Sequence, residues 1–170
     1  MQLSEAIEKR RSIKKYKKKV PSDDLIRKCV EAACFAPSAH NSQPWKFVIV
    51  KDKDKILALS KTQPWSAFLA DAPVVIVALS EESKSPRHWV EDLSCSIMLL
   101  MLKAAELGLG TCWNAVYSPE DQKREDYVRK ILGIPSKYRV LANIGLGFPD
   151  EKPAKKKVKS FEEVVLEIKD

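Results

Sequence analysis

The residues best equipped for chemistry fall in two clusters in the first third of the chain. One is Arg10-Arg11-Ser12-Ile13-Lys14-Lys15-Tyr16, which follows a segment where Leu3, Ala6 and Ile7 share one helical face. Arginine presents a planar fork of donors, Ser12 a short hydroxyl and Lys14 a point charge, a set that suits a phosphate. A solvated basic face is the plain alternative. The other cluster lies between Pro37 and Pro44, where Ser38, Asn41, Ser42 and Gln43 stand close together, followed by the apolar run Phe47-Val48-Ile49-Val50. Proline fixes its own φ and pushes the preceding residue out of the helical region, so this loop is rigid. Simple chain reversal would favour glycine or Asn-Gly over a concentration of neutral donors and acceptors. A rigid polar loop beside a strand is a common ligand wall, although a well-capped helix-to-strand connection is also consistent with it.

Two further motifs follow, Gly108-Leu109-Gly110-Thr111-Cys112-Trp113 and Ile144-Gly145-Leu146-Gly147-Phe148-Pro149. A lysine-rich stretch then ends in Phe161-Glu162-Glu163-Val164-Val165. In this order the four boxes RRSIKKY, PSAHNSQPWKF, GLGTCW and IGLGFP resemble the nitroreductase family of FMN-dependent oxidoreductases. The resemblance runs from about Leu3 to Val165. A single Gly-x-Gly is a weak signal, and the weight lies in the four boxes together.

The resemblance implies a single nitroreductase-like flavin-binding domain over 1–170. Its fold would be an α/β (α+β) layered sandwich, with a central mixed or antiparallel sheet flanked by helices, in an intertwined homodimer. It further implies a flavin at the dimer interface. Arg10, Arg11, Ser12 and Lys14 of one subunit would hold its phosphate, with Pro37, Ser38, Ala39, Asn41 and Gln43 of the other reaching the same flavin. Thr111, Cys112 and Trp113 would run beside the isoalloxazine, and Lys157 or Lys159 of the basic tail would meet the phosphate. The activity implied is a ping-pong transfer: a hydride passes from NAD(P)H to flavin N5, and a small-molecule acceptor such as a nitroaromatic or quinone then takes it. Flavin reduction for a partner, dehalogenation, or flavin storage without turnover are alternatives on the same fold. The cofactor carries this chemistry, so no catalytic acid or base is assigned. The chain departs from the family pattern where Lys14 stands in place of an arginine, losing the bidentate fork, and where the tail offers only lysines.

Composition narrows the classes. A chain of 170 residues, 45% hydrophobic, can bury a substantial core. No apolar run approaches the roughly 18 residues of a membrane helix, and the first residues lack a signal-peptide core. The four cysteines form no CxxC pair and no metal-ligand spacing with His40 or His88, so no metal is expected. Cys29 and Cys95 read as buried thiols on apolar helix faces, and a reduced, cytoplasmic chain is expected. Cys112 reads as a structural thiol, since nothing near it in sequence would lower its pKa. The charge of +7 (pI about 9.2) is concentrated in Lys9 to Lys19 and Lys152 to Lys159. The first run holds one aromatic, Tyr16, and the second none, and no recognised nucleic-acid motif is present, so no nucleic-acid partner is expected, with a basic nucleic-acid-binding module as the alternative of another class.

The elements that must position these residues can also be read. Ser22 caps a helix that Pro37 stops, and 47–51 is a strand. Residues 54–69 give one or two short helices broken near Pro64, and the β-branched run 73–79 is a central buried strand. Residues 89–107 form the longest helix, apolar nearly all round and ended by Gly108, in the core or at a subunit interface. Residues 111–116 form a strand, 119–132 a helix and 138–146 the last strand, while Ser160 and Glu163 make a capping box.

Overall fold

The computed structural model describes residues 2–166 and 168. Among the described residues there are six α-helices: α1 (Leu3–Lys9), α2 (Asp23–Ala33), α3 (Lys53–Leu59), α4 (Trp89–Glu106), α5 (Lys123–Leu132) and α6 (Phe161–Val164). The four strands are β1 (Trp45–Val50), β2 (Val74–Glu81), β3 (Gly110–Ala115) and β4 (Tyr138–Gly147), and 3-10 turns cover Ala39–Asn41, Pro64–Asp71 and Glu82–Lys84. The strands make one wholly antiparallel sheet in the order β1-β2-β4-β3. The mixed α/β layering is the one the sequence implied.

Side-chain alternation splits the core into two layers. Val74, Ile76 and Ala78 of β2 pack with Ile97, Leu100 and Ala104 of α4 on one face. Val75, Val77 and Leu79 pack with Ile56 and Leu59 of α3 and Val128 of α5 on the other. Because β2 is covered on both sides, its sequence is continuously apolar from Val74 to Leu79.

The local signals hold in detail. Ser22 accepts a hydrogen bond from Leu25 N, and the Ser160–Glu163 capping box forms. Gly108, at φ 75°, follows the last turn of α4, where a side chain would be strained. The fifth helix starts at Lys123 rather than near Pro119, because Asp121 accepts from Lys123 N and holds the preceding residues in a turn. His88 stands at the N-cap of α4 but makes no capping bond with its side chain.

Two expectations about burial need correction. Cys29 is fully buried, but Cys95 is exposed. It lies on the outer side of α4 with Met98, because the sheet can cover only one side of so long a helix. The apolar side of α1 is likewise uncovered: Ala6 is buried, whereas Leu3 and Ile7 are exposed. A cleft of about 310 Å³ among α1, α2 and α4 is lined by Leu3, Ala6, Phe35, Leu99 and Leu102, and Phe35 is 86% exposed.

Candidate functional site

The Arg10 to Tyr16 segment leaves α1 and is laced to the sheet by backbone bonds. Ser12 bridges Thr111 on the free edge of β3, with Ile13 N donating to Thr111 O at 2.9 Å. Tyr16 bridges Pro149, Lys17 N donates to Phe148 O, and Asp150 N donates to Lys15 O. Glu151 completes the tether by accepting Lys14 N at 2.5 Å and Lys15 N at 3.0 Å. These two amides hold its carboxyl below the usual carboxylate range. Gly110 permits the close approach, since a Cβ there would lie 2.7 Å from the Ile13 side chain.

This lacing opens a cavity of about 400 Å³ at the β3 corner. Lys9, Arg10, Arg11 and Lys152 line it, with Gly110 and Thr111 from β3. Arg11 is pre-set. Its Nη1 donates to Glu8 O and Arg10 O at 2.5 and 2.8 Å and its Nε to Ala154 O at 3.3 Å, leaving Nη2 without a protein acceptor among the described residues. Lys9 is paired with Glu5 at 2.6 Å and the Glu151 carboxylate lines the same cavity, so the donor set offered to a phosphate is Arg10, Nη2 of Arg11 and Lys152. Lys14 lies just outside, its Nζ 5.9 Å from the centre of the Phe68 ring. Lys157 and Lys159 do not line the cavity but lie exposed in the extended tail, and Lys152 is the tail lysine brought to the arginines. Sequence reasoning missed Lys152 and Lys9. Lys152 directly follows Glu151, and that carboxylate is what fixes the start of the tail.

Thr111 and Cys112 are buried, and Trp113 packs against the core layer under α4. At the β3 edge Gln63 Nε2 donates to Ala115 O at 3.0 Å. Burial raises the pKa of the Cys112 thiol, while the nearby Lys14 charge and Ser12 hydroxyl pull the other way. The net upward shift leaves it a structural thiol.

The Pro37–Pro44 loop carries three non-glycine residues in the left-handed region: His40 at φ 53°, Asn41 at φ 52° and Gln43 at φ 45°. Each costs on the order of 1 kcal/mol or more unless the surroundings fix it. Internal bonds help: Asn41 N donates to Ser38 O, Gln43 N to Ser38 Oγ and Gln43 Nε2 to Asn41 Oδ1. The side chains of Asn41 and Gln43 remain exposed, while Ser38 and Ala39 are half-buried and Pro37 is exposed. Their free donors and acceptors suit the carbonyl and N–H edge of a flavin ring system.

The two clusters sit at diagonally opposite corners of the sheet. Trp45, at the loop end of β1, is in register with Ser80 and, through it, Arg139, while Gly110 pairs Gly147, eight residues further along β4. That spacing is about 26 Å along the strands, and the three strand steps add about 14 Å across.

The matches to known proteins agree with this architecture. The family model described as "Nitroreductase family" matches residues 7–148. A protein of Methanothermobacter thermautotrophicus, provisionally named NADH dehydrogenase/NAD(P)H nitroreductase, is 37% identical over 90% of this chain and 80% of its own length. An iodotyrosine deiodinase of Thermotoga neapolitana is 29% identical over 88% of this chain and 89% of its own. Among solved structures, an FMN-dependent nitroreductase of Clostridium difficile superposes with a TM-score of 0.83 at 35% identity, covering 95% of this chain and 94% of the other. The chain belongs to the nitroreductase family and is an oxidoreductase of that family. No helix among the described residues is long and apolar enough to cross a membrane.

Proposed function

We propose that this chain, as one flavin-binding domain over 1–170, is an FMN-dependent NAD(P)H oxidoreductase acting on nitroaromatic, quinone or similar acceptors. Four residues of that span, Met1, Glu167, Lys169 and Asp170, lie outside the described residues. The observation that carries the reading is the cavity where Lys9, Arg10, Arg11 and Lys152 converge on the β3 corner. Arg10, Arg11 and Lys152 would hold the phosphate, with Lys14 and Ser12 beside them. The exposed groups of Asn41 and Gln43, with Ser38 and the backbone of Pro37 and Ala39, would orient the ring edge. When bound, FMN supplies a centre that accepts a hydride from NAD(P)H and delivers it to the acceptor in a ping-pong cycle.

Because the two clusters stand about 26 Å apart along the strands of one protomer, a shared flavin needs two chains. Support comes from the uncovered apolar side of α1 and α4 and from a C-terminal stretch, α6 and the residues after it, whose Phe161, Val164 and Leu166 are exposed. Both features suit an intertwined homodimer. The expected protein is yellow, oxidises NAD(P)H with a nitroaromatic or quinone, and loses FMN when diluted to monomer in sedimentation. A folded monomer with stoichiometric FMN would overturn the shared site, and a colourless protein that does not take up FMN would overturn the whole reading. Reductive dehalogenation is a second reading favoured by the deiodinase similarity, and a halogenated phenol as sole acceptor separates the two.

A further inference from the structure

The loop between Pro37 and Pro44 holds its left-handed residues at a corner where little else grips it. Among the described residues, one hydrogen bond reaches residues 37–43 from outside: Ala39 N donates to Asp92 Oδ1 at 3.0 Å. The other oxygen of the same carboxylate, Oδ2, accepts the Ser85 hydroxyl at 2.7 Å. Asp92 is 6% exposed and Ser85 is 4% exposed. The carboxylate sits in the first turn of α4, an 18-residue helix, and the helix dipole there favours a negative charge. Its backbone is fixed as well, with Asp92 N donating to His88 O. A rigid core helix therefore grips the loop one residue before His40, where the backbone turns left-handed.

We propose that Asp92 is a positioning residue of the flavin site, fixing the Ser38 to Gln43 loop in the conformation that receives the cofactor, with Ser85 orienting its carboxylate. The inference rests on the reading of that loop as a flavin contact. The Ala39 amide is at the start of the turn, so releasing it leaves the left-handed φ values of His40, Asn41 and Gln43 to the bonds within the loop alone. The loop would relax towards ordinary right-handed or extended conformations, and the side chains of Asn41 and Gln43 would lose their fixed directions. Asp92 touches no ligand in this scheme. It keeps a costly conformation populated before the ligand arrives.

Two measurements separate the positioning claim from the flavin reading. Amide exchange on the flavin-free protein follows the Ala39 N–H directly. It is expected to be protected in the parent, close to parent level in Asp92→Asn, which retains an acceptor oxygen, and fast in Asp92→Ala. FMN titration, followed by flavin fluorescence and the visible absorption band, is expected to show an affinity loss of about ten- to a hundredfold for Asp92→Ala with a shifted band. Asp92→Asn should recover most of that loss. Equal exchange in parent and Asp92→Ala overturns the positioning role whatever the flavin does. Altered exchange with unchanged FMN affinity and spectrum shows that the held loop is not a flavin contact, and so overturns both the inference and that part of the functional reading. Should Asp92→Ala fail to fold, Ser85→Ala decides. It leaves the Ala39 bond in place but unties the carboxylate, and faster Ala39 exchange with weaker FMN binding is expected. No change in either measurement overturns the proposal.

Discussion

Glu125 of α5, with no solvent exposure, meets Arg139 of β4 in a two-pronged contact: Nη2 donates to Oε1 at 2.8 Å and Nε to Oε2 at 3.0 Å. Oε2 also accepts Val140 N at 2.8 Å, and the guanidinium carbon lies 4.9 Å from the Trp89 ring centre and 5.3 Å from that of Tyr117. One charged pair thus ties α5, β4 and the start of α4 together at the loop end of the sheet. Removing Glu125 leaves Arg139 paired, among the described residues, only with Glu82, whose Oε1 accepts from Nη1 at 2.9 Å, and leaves the buried Val140 N–H without its acceptor. Glu125→Ala should therefore cost about 3 kcal/mol in urea unfolding, the lower end for a broken buried pair because Glu82 remains, and a loss below about 1 kcal/mol would show that the site rehydrates.

The two arginines at the β3 corner should separate in their effects. Arg10 lines the cavity with no side-chain hydrogen bond among the described residues, whereas Arg11 also satisfies the Glu8 and Arg10 carbonyls at the end of α1. Arg10→Ala should weaken FMN binding about ten- to a hundredfold with little change in the melting temperature of the flavin-free protein. Arg11→Ala should lower both. Full retention of FMN through dialysis by both variants would remove the phosphate assignment.

Asn41 combines a left-handed backbone with an exposed side chain, so two substitutions are needed to read it. Asn41→Gly keeps the φ near 52° without strain. It should weaken FMN binding while the flavin-free melting temperature holds nearly steady. Asn41→Ala should lose affinity and flavin-free stability together, because alanine resists that φ. If Asn41→Gly binds FMN like the parent, the side chain is a turn former and not a ligand contact.

Glu151 gives a pH dependence with a definite sign. Its folded pKa is lowered, first by the Lys14 amide and then by the Lys15 amide. It therefore contributes stability above the unfolded carboxylate value of about 4.3, and that contribution is lost as pH falls through the folded value. Melting temperatures of the parent and of Glu151→Gln should differ at neutral pH and converge in acid. A gap that stays constant from pH 7 to about pH 3 would show that the amide contacts carry no charge-dependent stability.

The local elements were legible because their causes are local. Ser22, Gly108 and the Ser160–Glu163 box are capping signals whose partners lie within a few residues. The unbroken β-branched run of β2 betrayed burial on both faces, and the start of α5 was misplaced because the Asp121 turn competes with the helix over the same residues. The two chemical clusters were also legible, since donor-rich residues between prolines or packed beside arginines leave a mark in one dimension.

What only the tertiary structure decided is which distant residues complete each cluster. Lys152 reaches Arg10 and Arg11 because Glu151 is tied to the Lys14 and Lys15 amides across more than a hundred residues of chain. Asp92 reaches Ala39 because α4 is packed against α2 along its length. Cys95 looked buried because the apolar content of α4 gives no sign of which side meets the sheet. The diagonal placement of the two clusters follows from the strand order β1-β2-β4-β3 and its register. Side-chain chemistry is written residue by residue, so the sequence by itself determined which donors and acceptors each cluster offers. Distance depends on how the strands pair, and pairing is settled by the whole core at once.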